Sequence, residues 1–180
     1  MFKSSMQEWR LNNLLKTAAE DPRQHATTPD TVFKQIQNST GCLFTLDAAA
    51  NQSNHKAKKW IGPGGIGEQF HTTSWQFESV FLNPPFCLSG LALEKAWYEY
   101  EVNEVHSVLL MHAKTAHRVF SAIDKTKLSI GLFSRRVEYN PAPGIKFSSP
   151  RIDSMLIVFD GLGRTFFAGE GGGDPPVKYR

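Results

Sequence analysis

The run Ser79-Val80-Phe81-Leu82-Asn83-Pro84-Pro85-Phe86 ends an apolar stretch on an amide, two prolines and an aromatic ring. The Asn83 side chain offers an acceptor oxygen, and the prolines restrict the backbone so that a neighbouring carbonyl aims the same way. Two acceptors so placed can take both hydrogens of one planar amino group. The exocyclic amine of a nucleobase is a poor nucleophile, because its lone pair is conjugated into the ring. Accepting both N–H hydrogens favours the pyramidal form, whose lone pair is free to attack. Phe86 supplies a face for the ring that bears the amine. A tight strand exit would use the same four residues. The apolar strand before them and the helix start at Ser89 after them favour the chemical reading.

The surrounding elements must present that turn. Residues 4–20 place Leu11, Leu14 and Leu15 at helical spacing, and "DPRQHA" (21–26) interrupts the pattern. A second helix starts at Thr28-Pro29-Asp30: Thr28 can cap, Pro29 suits the first turn and Asp30 suits the positive end of the dipole. Val32, Phe33 and Ile36 give it an apolar face. "LFTLDAAA" (43–50) reads as a buried strand ending on Asp47. Residues 79–83, 107–113, 128–140 and 154–161 supply further strand character, with helices after Ser89 and near 115–124. The segment 51–78 is irregular, 141–150 reads as a loop, and the Gly- and Pro-rich end as a flexible tail. Helices alternating with continuous apolar strands predict an α/β fold with a largely parallel sheet flanked by helices. Ligands bind such sheets at the carboxyl ends of the strands, where both Asp47 and Asn83 fall.

Composition narrows the class. A 180-residue chain with 41% hydrophobic and 21% charged residues predicts one soluble globular domain. We place it at residues 27–162, with an N-terminal helical extension at 1–26 and a flexible tail at 163–180. No apolar run approaches the ~18 residues that would span a bilayer. The N-terminus is interrupted by polar residues too early for a signal peptide. Cys42 and Cys87 fit neither a metal spacing nor a disulfide framework, which points to an intracellular, cytoplasmic setting. The net charge of +3 is unevenly spread: residues 111–151 hold eight Lys/Arg and two acids, residues 68–110 one Lys and six Glu. The basic half suits phosphate backbones, although a solvated surface would show the same asymmetry.

"LNPPF" matches the (D/N/S)PP(Y/F/W) motif of S-adenosylmethionine-dependent amino-methyltransferases. With "TTPDTVF" and "FTLDAAAN" before it, in that order, the chain resembles the phage-type DNA adenine-N6 methyltransferases. "LLMHAKTAHRVF", "SIGLFSRRVEYN" and "SMLIVF" are weaker similarities, and the whole resemblance runs over roughly residues 27–160. It implies a Rossmann-like methyltransferase fold in reduced form, with S-adenosylmethionine as cofactor and DNA as partner. Asn83 and Pro84 would accept the amine, Pro85 would hold the turn, and Phe86 would stack on an adenine flipped out of the duplex. Asp47, Ala48 and Ala49 would lie at the cofactor pocket, with Thr28 and Pro29 at the methionine end. Arg135 and Arg136 would meet DNA phosphates, and a solvated strand edge is the alternative.

The chain departs from the wider methyltransferase pattern in two ways. No glycine-rich turn follows Asp47, and only 35 residues separate Asp47 from Asn83, which leaves the ribose-binding acid unassigned. Little length remains for a separate target-recognition domain. The expectation is therefore relaxed recognition from loops 61–78 and 134–151, with a homodimer as one way to supplement it. Other features read as bland. "GPGGIG" (62–67) lacks both a preceding strand and a following Lys-Ser/Thr, and "DPPV" (174–177) lacks the aromatic. His112 and His117 lack a third ligand, so no metal is expected. Trp60 and Trp75 are read as core aromatics ahead of stacking platforms. Two alternatives stay open: the same chemistry on an RNA base, cytosine N4 or protein glutamine, and a non-catalytic nucleic-acid-binding module.

Overall fold

A computed structural model describes residues 2–115, 123–142 and 151–169. In chain order, the helices are α1 (Phe2–Glu20), α2 (Asp30–Thr40) and α3 (Ser89–Asn103). The strands are β1 (Leu46–Asp47), β2 (Lys59–Trp60), β3 (Val80–Leu82), β4 (Ser107–His112), β5 (Leu128–Phe133), β6 (Val137–Glu138), β7 (Arg151–Ile152), β8 (Ser154–Phe159) and β9 (Thr165–Ala168). Seven strands form one sheet in the order β2-β1-β3-β4-β8-β5-β9, and β6 pairs with β7 separately.

The apolar strands are continuous because both faces of this sheet are covered. Val80, Leu82, Leu109, Met111, Ile157 and Phe159 point to the layer that holds Leu14, Ala18, Ala92, Leu93 and Ala96 of α1 and α3. Phe81, Val108, Leu110, Leu156 and Val158 point the other way, to Phe33 and Ile36 of α2 and to Val137 beyond β5. Alternation along a pleated strand therefore fills two cores at once. Phe33, Phe44 and Phe81 pack as a ring triplet under α2. That helix ends at Gly41, whose φ of 70° lets its N–H reach Gln37 O.

The sheet is largely parallel, as expected, with six of its seven strands running the same way and β8 alone reversed. Four of its six pairings are parallel, but β8 runs antiparallel to both β4 and β5. The reversal suits the short approach from β7, with only Asp153 between β7 and β8. β1, β2, β3 and β4 are mutually parallel, so Asp47, Trp60, Asn83 and His112 all reach the same end of the sheet.

Several local expectations change. The strand expected over 43–50 is only Leu46–Asp47, and β2 stands directly before the glycine loop where no strand was expected. Residues 128–140 divide into β5 and β6. Ser89 does not cap α3: its hydroxyl donates back to Phe86 O, and the 3-10 turn Phe86–Leu88 leads into the helix. Within the tail expected over 163–180, Thr165–Ala168 is a strand paired with β5 in parallel, and residues from 170 onward lie outside the described residues. Residues 1–26 are not set apart from the core, since Ala18 is buried in it. The helix expected near 115–124 lies mostly outside the described residues, as do most of loop 141–150 and "DPPV".

Candidate active site

β3 is one of the inner strands, and its last residue hands the chain directly to Asn83. The Asn83 Nδ2 donates to Thr28 Oγ1 at 3.0 Å. Thr28 is 3% exposed and is not a helix cap; Pro29 occupies the N-cap position of α2 without a side-chain cap bond. With the amide nitrogen turned to Thr28, the amide oxygen Oδ1 remains as the acceptor on the other side. A two-way backbone bridge between Thr27 and Asn140 holds this entry to α2 in place.

Pro84 is buried, and Pro85 is extended at φ −48° and ψ 134° before the turn tightens at Phe86. The turn is held from the N-terminal side. Gln24 Oε1 accepts from the Cys87 N–H at 3.1 Å, and the Cys87 thiol donates to Leu14 O. The half-buried Phe86 ring stands nearly perpendicular to two others, His112 and Tyr139, at centroid distances of 6.2 and 6.1 Å. Tyr139 is fixed by a hydroxyl contact with Ser154 at 2.9 Å. Burial pushes its phenol up to about 12, and the Ser154 hydrogen bond offsets part of that. The aromatic of the Asn-Pro-Pro-Phe turn thus has a rigid frame.

Asp47 lies on the next strand, in register with Phe81. Its carboxylate is 3% exposed and both oxygens are engaged: Oδ1 accepts from the Ala49 N–H and Oδ2 from the Lys56 N–H. Burial raises its pKa to about 6, against the opposing effect of those N–H groups and of the Lys56 and His55 charges. Through these two bonds Asp47 fixes the path of residues 49–56. Lys56 extends that path across to α2 by pairing with Asp30, whose carboxyl is held below its ordinary value mainly by this partner. Ala48 is fully buried, and Ala49 and Ala50 are half-buried.

The glycine loop is a packing device. A Cβ at Gly62, where φ is 140°, would meet Ala50 O at 1.9 Å, and one at Gly65 would meet Trp60 O at 2.2 Å. The loop is pressed against the β1 exit and the Trp60 ring, which stacks on His55 at 4.3 Å. Trp75 is fully buried as a core residue, whereas Trp60 is only half-buried. Trp75 is tied to α3, where Glu99, 1% exposed, accepts its backbone N–H and pairs with Lys95.

Thr28, Pro29, Asn83, Pro84, Pro85 and Phe86 are thus brought together, with Asp47, Ala48 and Ala49 on the adjoining strand exit. Arg135 and Arg136 lie on the β5–β6 turn, beside the Pro29 end of this group. Both are exposed, and Arg136 donates to Asp153 at 2.8 Å. They line a cavity of about 370 Å³ with Pro29, Thr31, Gln35 and Phe133. Gln24, His112 and Tyr139 were missed as site residues. His112 had been weighed only as a metal ligand, and its position one strand from Asn83 was the available signal.

A family model described as DNA N-6-adenine-methyltransferase (Dam) matches residues 16–163, which takes in the end of α1, the whole Asn83 site and six strands of the main sheet. Among curated proteins no relative is found. The match extends over most of the 180 residues, and the chain belongs to the DNA N-6-adenine-methyltransferase (Dam) family.

Proposed function

We propose that this protein methylates the N6 amine of an adenine flipped out of duplex DNA, with S-adenosylmethionine as methyl donor. The observation that carries the reading is the Thr28–Asn83 hydrogen bond, which sets the amide with Oδ1 outward beside a framed aromatic ring. The family match supports the same substrate and reaction.

The chain's residues fit a cationic, methionine-bearing cofactor. The Thr28 hydroxyl accepts from Asn83 and keeps its own hydrogen to donate. The Ala48-Ala49 turn presents backbone and methyl groups, and the anionic form of Asp47 places negative charge behind it. Thr28, Pro29, Ala48 and Ala49 would hold S-adenosylmethionine, which supplies an electrophilic methyl group when bound.

Asn83 Oδ1 and the Pro84 carbonyl accept the two N6 hydrogens, so the amine pyramidalises and its lone pair leaves conjugation with the ring. Because the Asn83 amide is held by Thr28 before the base arrives, it needs little reorganisation at the moment of reaction. Flipping costs about a few kcal/mol of stacking and pairing, and Phe86 recovers part of that by stacking. Arg135 and Arg136 serve the DNA backbone from beyond α2.

Incubation with labelled S-adenosylmethionine and, in parallel, duplex DNA, single-stranded DNA or RNA tests this proposal. N6-methyladenine in DNA, lost on Asn83→Ala, is the expected result. Label in RNA or at cytosine N4, with adenine in DNA unmodified, would refute it.

A further inference from the structure

We infer that His112 is a specificity-determining residue, which donates a hydrogen bond from Nε2 to the ring nitrogen beside the amine of the target base. The inference rests on the adenine reading above and adds a reader of the base to it. Three observations converge on it.

The first is position. His112 is the last residue of β4, which runs parallel to β3, so its side chain stands at the same end of the sheet as Asn83. It is half-buried and therefore reachable. The second is the contact with Phe86, 6.2 Å between centroids and 86° between planes. The imidazole is therefore one of the groups that a base held against Phe86 would meet.

The third observation settles which nitrogen is on offer. The backbone N–H of Lys114 donates to His112 Nδ1 at 3.1 Å. A backbone N–H can only donate, so Nδ1 carries the lone pair and, in the neutral ring, the proton is on Nε2. This imidazole is accordingly a donor toward the base and not a proton acceptor for the amine. The residue two positions further along the chain thus selects the tautomer.

Asn83 and His112 together form a two-point pattern: an acceptor for an amine and a donor for an adjacent ring nitrogen. Adenine satisfies it through N6 with N1 or N7. Guanine has a carbonyl in place of that amine and a hydrogen on N1, so the acceptor of Asn83 would face O6 and repulsion would replace a hydrogen bond. Phe86 alone accepts any base with a π face, so discrimination against guanine needs these polar groups.

The test uses duplexes carrying the target mapped for the wild-type enzyme, with adenine replaced by 1-deaza-, 7-deaza- or 3-deazaadenine. Each analogue keeps the amine and removes one ring acceptor. The wild type should lose about tenfold in single-turnover rate on the 1-deaza or the 7-deaza duplex and little on the 3-deaza one. His112→Ala should be about tenfold slower on adenine and should lose nothing further on the sensitive analogue. His112→Gln, which keeps an N–H donor, should recover part of the rate and restore the sensitivity. A wild type indifferent to both the 1-deaza and 7-deaza changes, or a His112→Ala enzyme that keeps the full sensitivity, would overturn the inference while leaving the adenine reading intact. Failure of the wild type to methylate any DNA would overturn the adenine reading and this inference with it.

Discussion

The Asn83 side chain and the Thr28 hydroxyl, 55 residues apart in sequence, meet in a hydrogen bond of 3.0 Å that fixes the amide's orientation. Thr28→Val keeps the shape and removes the acceptor, which leaves the Asn83 N–H unpaired in a partly buried site. The amide is then free to turn its nitrogen toward the substrate amine, donor against donor. We expect kcat to fall by about 10- to 100-fold, with Thr28→Ser close to wild type. Steady-state kinetics at saturating cofactor and DNA reads the difference.

Asp47 makes stability depend on pH. Its folded pKa is raised from 3.8 to about 6, so the folded chain holds this proton more tightly than the unfolded chain does. The corresponding contribution to stability is present below about pH 3.8 and is lost as pH rises through about 6. Its full size is about 3 kcal/mol from the shift alone. Urea denaturation between pH 3.5 and 7 should show this loss in the wild type and a flatter profile in Asp47→Asn. Equal slopes in the two proteins would refute the assignment.

Glu99 anchors the irregular segment before β3. It is buried, accepts from the Trp75 N–H and from Asn103, and pairs with Lys95, whose ammonium lies 5.7 Å from the centre of the Trp75 ring. Glu99→Ala leaves the Lys95 charge without its partner and should cost about 3–5 kcal/mol. The double change Glu99→Leu with Lys95→Met should cost clearly less. Denaturant midpoints of the two variants decide the matter.

Gln24 reaches the Asn-Pro-Pro-Phe turn from the far side. Removing its carbonyl in Gln24→Leu leaves the Cys87 N–H without its acceptor, at about 1–3 kcal/mol. Gln24→Glu retains an acceptor and should retain stability. The Leu variant should also lower kcat more than it raises the KM for DNA, because the displaced group is the turn that presents Phe86.

The Asn83–Phe86 turn was legible because its chemistry is contained in four consecutive residues after an apolar strand. Thr28 and Asp47 were found through their resemblance to family blocks, and the geometry adds the partners that each one holds. Thr28 orients an amide instead of capping a helix, and Asp47 holds a loop with both oxygens. These roles depend on partners 55 and nine residues away, which spacing along the chain does not reveal. β1 and β2 have two residues each, too few to carry a period, so one was overextended and the other missed. β9 hides in a Gly-rich end, and only its pairing with β5 makes it a strand. The antiparallel entry of β8 is invisible in an apolar run that would serve either direction. His112 and Tyr139 matter through ring contacts with Phe86, which are tertiary.

The bridge between Thr27 and Asn140 also constrains when the site exists. Synthesis of Asn83 and Phe86 precedes that of Tyr139 by more than fifty residues, so a chain still on the ribosome carries the turn without its aromatic frame. The backbone clasp that seats Thr28 closes only after β6 has emerged. The Asn83 site is therefore completed late in translation, after most of the domain has been made.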